Sequence, residues 1–162
     1  MRVLGIDPGT ATIGWAVLEQ LHGKTTPLAY GHISTPKELP LEKRLQEIRD
    51  DVKEIITIHA PDEAAMEELF FFNNQKTAIA VAQSRGALLL TLADFGLSIA
   101  GYTPLQVKQA LTGYGKADKQ QVQRMAKEIL HLKEIPKPDD VADALAIALC
   151  HLNHASFVKR RV

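Results

Sequence analysis

Val3-Leu4-Gly5-Ile6-Asp7-Pro8-Gly9-Thr10 is the stretch on which the reading of the whole chain turns. An apolar run ends in a carboxylate, and a Pro-Gly turn follows at once. A polar group inside a buried strand needs a partner. The acid therefore belongs at the strand's end, where open α/β sheets place their ligands. Taken alone, the motif is more often a plain turn aspartate. Joined by other carboxylates, it becomes a site for divalent cations, because carboxylate oxygens suit Mg²⁺ and Mn²⁺.

Outward from that stretch, Arg2 to Asp7 reads as a buried strand. Thr12 to Glu19 reads as its hairpin partner, with Ile13, Trp15 and Val17 alternating onto one face. Leu28 to Ser34 supplies a third strand. A surface helix follows from Leu41 to His59, with Leu41, Leu45, Ile48, Val52, Ile55 and Ile56 at three-and-four spacing and a charged opposite face. A short strand through Ala64, Ala65 and Met66 delivers Glu67. The segment from Asn73 to Asp94 is almost uniformly apolar after Lys76, so as a helix it must be buried on all sides. Within one small domain, part of that surface is expected to meet a second copy of the chain, and Gly86 would let its backbone come close. A fifth strand from Leu97 to Tyr102 is followed by a short helix from Pro104 carrying Lys108. Further helices are expected from about Asp118 to Leu132 and from about Asp139 to His151. The order is that of an α/β protein with a mixed sheet.

A chain of 162 residues with 46% hydrophobic content is sized for one domain with its own core. No apolar run reaches the length of a membrane span, the start lacks a signal-like segment, and Cys150 is the single cysteine. A reducing cytoplasmic location is the expectation. The formal net charge is zero, but it is unevenly spread. From Tyr102 to Lys133, six cations (Lys108, Lys116, Lys119, Arg124, Lys127, Lys133) face two acids, a local +4, and Lys159-Arg160-Arg161 adds a basic tail. Between Pro36 and Phe70, five cations face ten acids, a local −5. A polyanion responds to the local field rather than to the sum.

Three further acids are candidates to join Asp7. Glu67 and Glu68 point to opposite sides of a strand, so only one of them can face the neighbouring acid. Asp140 and Asp143 share one side of the first turn of the last helix, and so do Asp139 and Asp143; spacing does not choose between them. Asp139 and Asp140 are also explained by helix capping. Asp143, followed by Leu145, Ile147, Ala148 and Leu149, sits at the edge of the core and is explained poorly that way. Convergence of these acids makes metal-free coexistence costly. Two divalent ions ~4 Å apart would relieve it and would stabilise both oxygens of an in-line phosphoryl displacement. That is phosphodiester hydrolysis with a water nucleophile.

With these residues together, the chain resembles the RuvC-type Holliday-junction resolvases, endonucleases of the ribonuclease H-like superfamily. Leu4 to Thr10 resembles the family's opening. Ala65-Met66-Glu67-Glu68-Leu69-Phe70 resembles its second acidic motif and puts the catalytic role on Glu67. Gln83-Ser84-Arg85-Gly86 looks like its long-helix signature. Gln106-Val107-Lys108-Gln109 and Gly115 to Gln123 are similar to its basic DNA-binding stretch. Asp140-Val141-Ala142-Asp143-Ala144-Leu145-Ala146-Ile147-Ala148 completes the match and selects Asp140 over Asp139.

The resemblance implies a five-stranded mixed sheet, its first three strands antiparallel, flanked by helices in a single ribonuclease H-like nuclease domain over 1–162. It implies a homodimer that makes paired symmetric nicks across a four-way DNA junction in recombination and repair. The site would hold two ions, Mg²⁺ with Mn²⁺ as a substitute, on Asp7, Glu67, Asp140 and Asp143. DNA-contacting roles fall on Phe70, Arg85, Lys108, Lys116 and Lys119, with Phe70 as an aromatic near the exchange point beside Phe71 and Phe72. A branch-migration helicase complex is implied by the family alone.

Other readings fit less of the chain. A sugar-kinase or actin-like ATPase also opens with a strand, Gly-Ile-Asp and a Gly-Thr turn, but needs a second similar lobe for which there is no room. Another ribonuclease H-like nuclease, acting on RNA–DNA hybrids or ribosomal RNA, is the nearer rival. A non-catalytic DNA-binding module would need no converging acids. Cys150, His151 and His154 make a weak zinc site, and a core cysteine with surface histidines is the simpler reading. His22, His32, His59 and His131 show no catalytic pairing.

Overall fold

The computed structural model describes residues 1–9, 11–68 and 75–159. Thr10, the Phe70-Phe71-Phe72 run, Asn73, Arg160 and Arg161 lie outside the described residues. β1 (Arg2–Asp7) and β2 (Thr12–Leu21) form the antiparallel hairpin, and β3 (Lys24–Ser34) extends it, also antiparallel. α1 (Leu41–His59) leads to β4 (Glu63–Glu67), which lies parallel to β1 on its other side. α2 (Gln75–Asp94) leads to β5 (Ser98–Tyr102), parallel to β4. The sheet order is β3-β2-β1-β4-β5, so the strand carrying Asp7 is central. After β5 come α3 (Pro104–Thr112), α4 (Lys119–Ile129) and α5 (Asp139–Lys159). No described helix is long and apolar enough to cross a membrane.

Period-two alternation along the strands builds a core on each face of the sheet. Leu4, Ile6, Ile13, Val17 and Met66 point to one face, where Ile48, Val52, Ile55 and Ile56 of α1 and Leu88 and Leu92 of α2 cover them. Val3, Ala16, Leu18 and Ala65 point to the other, against α5. The stripe expected on α1 is the one observed, except that Leu41 in its first turn is exposed.

α5 is the helix buried on nearly every side: Val141, Ala142 and every residue from Ala144 to Leu152 are buried. It lies between the sheet and an outer layer of α3 and α4. Two glycines let its backbone come that close. A Cβ on Gly5 would stand 2.4 Å from the Ala144 carbonyl oxygen, and one on Gly14 would stand 1.9 Å from the Asp140 carbonyl oxygen. Gly14 is also the residue paired with Asp7 across the hairpin. Further along, His151 pins the helix down: its Nδ1 meets the Tyr102 hydroxyl at 2.9 Å and its Nε2 meets Glu63 Oε2 at 2.6 Å.

Several expectations are corrected. β3 begins at Lys24 rather than Leu28, because Pro27 is accommodated on an edge strand opposite Leu18, beside a register shift at Val17/Leu18. α5 continues past His151 to Lys159, since nothing in Leu152-Asn153-His154 breaks a helix. α4 stops at Ile129, short of Leu132. α2, whose full burial was expected to need a second copy, keeps an exposed stripe on this one chain: Ile79, Gln83, Gly86 and Leu90, at spacings of four, three and four.

Gly14→Ala is expected to lower the unfolding free energy by about 1–3 kcal/mol, the usual range for forcing atoms into a packed contact. Urea denaturation checks it, and wild-type stability would contradict the close approach of α5.

Candidate active site

Asp7 ends β1 and Glu67 ends β4, the parallel neighbour. In the alternation of their strands, both lie on the side of Val3 and Ala65, the side that α5 covers. Glu68 is exposed, and its backbone N–H donates to the Tyr102 carbonyl at 2.9 Å. α5 begins over the same end of the sheet, bringing Asp140 and Asp143 in its first turns, where the helix's positive end favours carboxylates. Asp140 is close enough to Asp7 for its charge to be felt there. Asp139 turns elsewhere: its Oδ1 accepts from Lys137 Nζ at 2.6 Å, and that bond holds its carboxyl below the usual range.

The electrostatics reflect this crowding. Burial pushes the Asp7 carboxyl up to about 8, and the charges of Glu67, Asp143 and Asp140 push the same way against Lys119. Burial likewise raises the Glu67 carboxyl, with Asp143 adding to it and Lys119 and Lys108 opposing. The counter-charge sits with Asp143. Lys119 Nζ lies 2.8 Å from Asp143 Oδ2 and 4.0 Å from Asp139 Oδ2. Burial works against the Lys119 ammonium, yet the bond to Asp143 and the nearby acids hold it above its ordinary range. Gln123 Nε2 donates to the other oxygen, Asp143 Oδ1, at 3.2 Å. A cavity of about 170 Å³ opens here, with Glu67, Asp143, Lys108 and Lys119 on its walls and Val107, Val122 and Ile147 behind them.

The donor set suits a hard divalent cation: carboxylates from three elements, two of them, Asp7 and Glu67, destabilised as anions by burial and then by their neighbours. Among the described residues, no three acid, imidazole or thiol side chains stand close enough together to share an ion as they lie. The ammonium of Lys119 pairs with Asp143 instead. The residues therefore fit a metal in the chemistry of their donors and in sharing one end of the sheet, with Asp143 engaged by Lys119.

The structure brings Asp7, Glu67, Asp140, Asp143, Lys108 and Lys119 to one end of the sheet. Lys116 lies apart, exposed in the turn between α3 and α4. Arg85 is on α2, across the sheet from the acids, partly buried, and among the described residues its Nε has no hydrogen-bond partner. Phe70 is outside the described residues. Cys150 is a buried core thiol, pushed up to about 12 by that burial. Sequence reasoning passed over Gly14 and Gln123. The signal for Gln123 was present: Asp118 and Gln121 form a capping box that fixes the start of α4, which puts Lys119 and Gln123 one turn apart on one side.

Comparisons with known proteins show the family and the fold. The family model for crossover junction endodeoxyribonuclease RuvC matches residues 3–151. The crossover junction endodeoxyribonuclease RuvC of Desulforamulus reducens is 51% identical over 162 residues, covering 100% of this chain and 99% of its own. That of Halothermothrix orenii is 54% identical over 153 residues, 94% of this chain and 93% of its own. Among solved structures, Thermus thermophilus RuvC in complex with Holliday junction substrate superposes with a TM-score of 0.88 at 35% identity, covering 97% of this chain and 96% of that one.

The raised Asp7 carboxyl has a consequence for stability. The folded state holds its proton more tightly than the unfolded chain, so this contribution is full below about pH 4 and is lost as pH rises toward 8. In EDTA, Asp7→Asn should therefore stabilise the protein at pH 8 by at least about 1 kcal/mol more than at pH 4, one pKa unit being worth ~1.4 kcal/mol. Urea denaturation at both pH values checks this; equal effects would remove the electrostatic account.

Proposed function

The chain belongs to the crossover junction endodeoxyribonuclease RuvC family and shares its ribonuclease H-like fold, and from that premise we propose that it resolves four-way DNA junctions by paired symmetric nicks. It is a divalent-metal-dependent nuclease. The observation that carries the site assignment is the meeting of Asp7, Glu67, Asp140 and Asp143 at the carboxyl end of two parallel strands. We assign the metal to these four side chains, with Mg²⁺ as the ion and Mn²⁺ as its substitute. When bound, divalent ions stabilise the charge on the attacking and leaving oxygens of an in-line displacement, water being the nucleophile.

The protein's own groups do the rest. Asp7, on the central strand, feels the charges of Glu67, Asp143 and Asp140 and would be a ligand to the divalent ions. Lys108 and Lys119 make the cavity wall positive opposite the acids, which favours a phosphodiester over water at that wall. With Lys116 they add salt-dependent affinity without reading sequence. The exposed α2 stripe of Ile79, Gln83, Gly86 and Leu90 supports a homodimer, with nothing within 4 Å of a Cβ built on Gly86. A two-fold dimer gives a two-fold junction one site per cut strand.

Asp7→Asn should reduce nicking of a synthetic four-way junction at least about 100-fold, as expected when several kcal/mol of charge stabilisation is lost. Junction binding should stay near wild type. Labelled four-way, Y-shaped, duplex and RNA–DNA hybrid substrates with Mg²⁺ give the test: paired nicks confined to the four-way junction support the reading. Cleavage of the hybrid instead would favour the other ribonuclease H-like activity. For the dimer, sedimentation velocity at micromolar concentration should show a two-chain species that Leu90→Glu converts to monomer; wild-type monomer alone would remove it.

A further inference from the structure

Asp143 is held by two side chains from one helix, and the two differ in kind. Gln123 is buried, 4% exposed, and its amide is aimed at Oδ1. The Lys119 side chain is 55% exposed, at the mouth of the cavity, and spans to Oδ2 from the first residue of α4. A cation at a helix's first position is disfavoured by the macrodipole. Nearby acids offset that cost: Asp143 in direct contact, with Asp139 and Asp7 further off. The capping box of Asp118 and Gln121 fixes the backbone under both residues, so Lys119 can leave by rotating its side chain without moving α4.

We propose that Lys119 is an exchangeable internal counter-ion of the acid cluster, which must release Asp143 for a divalent ion to bind, while Gln123 is a positioning residue that keeps the Asp143 carboxylate aimed into the site throughout. This rests on the nuclease reading above and adds an order of events to it. As the side chains lie, no three acids among the described residues share an ion, and Asp143 Oδ2 is taken by Lys119 at 2.8 Å. With Lys119 released, Asp143 Oδ2 is freed for metal, and the ammonium is left on the cavity wall beside Lys108, where a phosphate would meet both. The device keeps the acids neutralised between turnovers and ties release of the lysine to arrival of the ion and the DNA backbone.

The test is Mn²⁺ binding to the full chain without DNA, followed by electron paramagnetic resonance of the free ion, for wild type, Lys119→Met and Gln123→Leu. Far-ultraviolet circular dichroism in EDTA first establishes that each variant is folded. Lys119→Met should bind Mn²⁺ at least about tenfold more tightly, since a resident positive charge has been removed. Gln123→Leu should bind about 10–100-fold more weakly, the usual loss when the group orienting a ligand is removed. A merely structural role would lower affinity in both. Unchanged or weaker Mn²⁺ binding by Lys119→Met, with reduced junction affinity in EDTA, would make Lys119 a phosphate contact alone and overturn the exchange. Should Gln123→Leu fail to fold, Lys119→Met decides the exchange by itself. Absence of Mn²⁺ binding in wild type and Lys119→Met alike would sink the metal-site reading itself, and the exchange with it; binding by Lys119→Met alone would support the exchange.

Discussion

The contact on which the rest of the molecule depends is backbone against backbone: α5 lying directly on β1 and β2. Helix-to-sheet packing normally leaves a layer of side chains between the two. Here Gly5 and Gly14 remove that layer, and Ala144 and Ala148 occupy the resulting approach. Two effects follow at once. The helix becomes the inner wall of a core, with α3 and α4 stacked outside it. Its first turns are also drawn over the end of the central strand, which is where Asp7 stands. The gathering of these acids is thus a by-product of close backbone packing, and Gly14 takes part in it as the residue paired with Asp7.

Electrostatics then opposes what packing imposes. Four carboxylates from β1, β4 and α5 share a partly buried space, and burial with mutual repulsion raises Asp7 and Glu67. Three features soften the conflict: the positive end of α5, the ammonium of Lys119 and the amide of Gln123. Lys108 also opposes the rise at Glu67, but of these three only Lys119 brings a full charge. Its exposure makes it the removable one of the three, whereas the helix end and the buried amide are fixed.

Much of this was legible in the residues. The hairpin followed from the short link between two alternating apolar runs, and the parallel order followed from the alternation of strands with helices. Asp143 stood out because it precedes an apolar helix where capping does not explain it, whereas the family resemblance chose Glu67 over Glu68 and Asp140 over Asp139. What was hidden depended on tertiary approach. Pro27 reads as a strand breaker until the strand is known to be an edge. Gly14 reads as an ordinary strand glycine until α5 is known to lie on it. Lys119 reads as one cation of a basic stretch, and only the packing of α4 on α5 turns it toward Asp143. The uniform apolarity of α2 does not distinguish a buried face from one left exposed on a single chain.

The central claim is that these four acids hold the divalent ions of a RuvC-family endonuclease. Anomalous diffraction from crystals soaked in Mn²⁺ tests it most directly. Peaks are expected within about 2.0–2.3 Å of carboxylate oxygens of Asp7, Glu67, Asp140 and Asp143, as hard oxygen ligation requires, with the Lys119 ammonium withdrawn from Asp143. Manganese bound only elsewhere on the chain, with the Lys119–Asp143 pair intact at saturating metal, would contradict it.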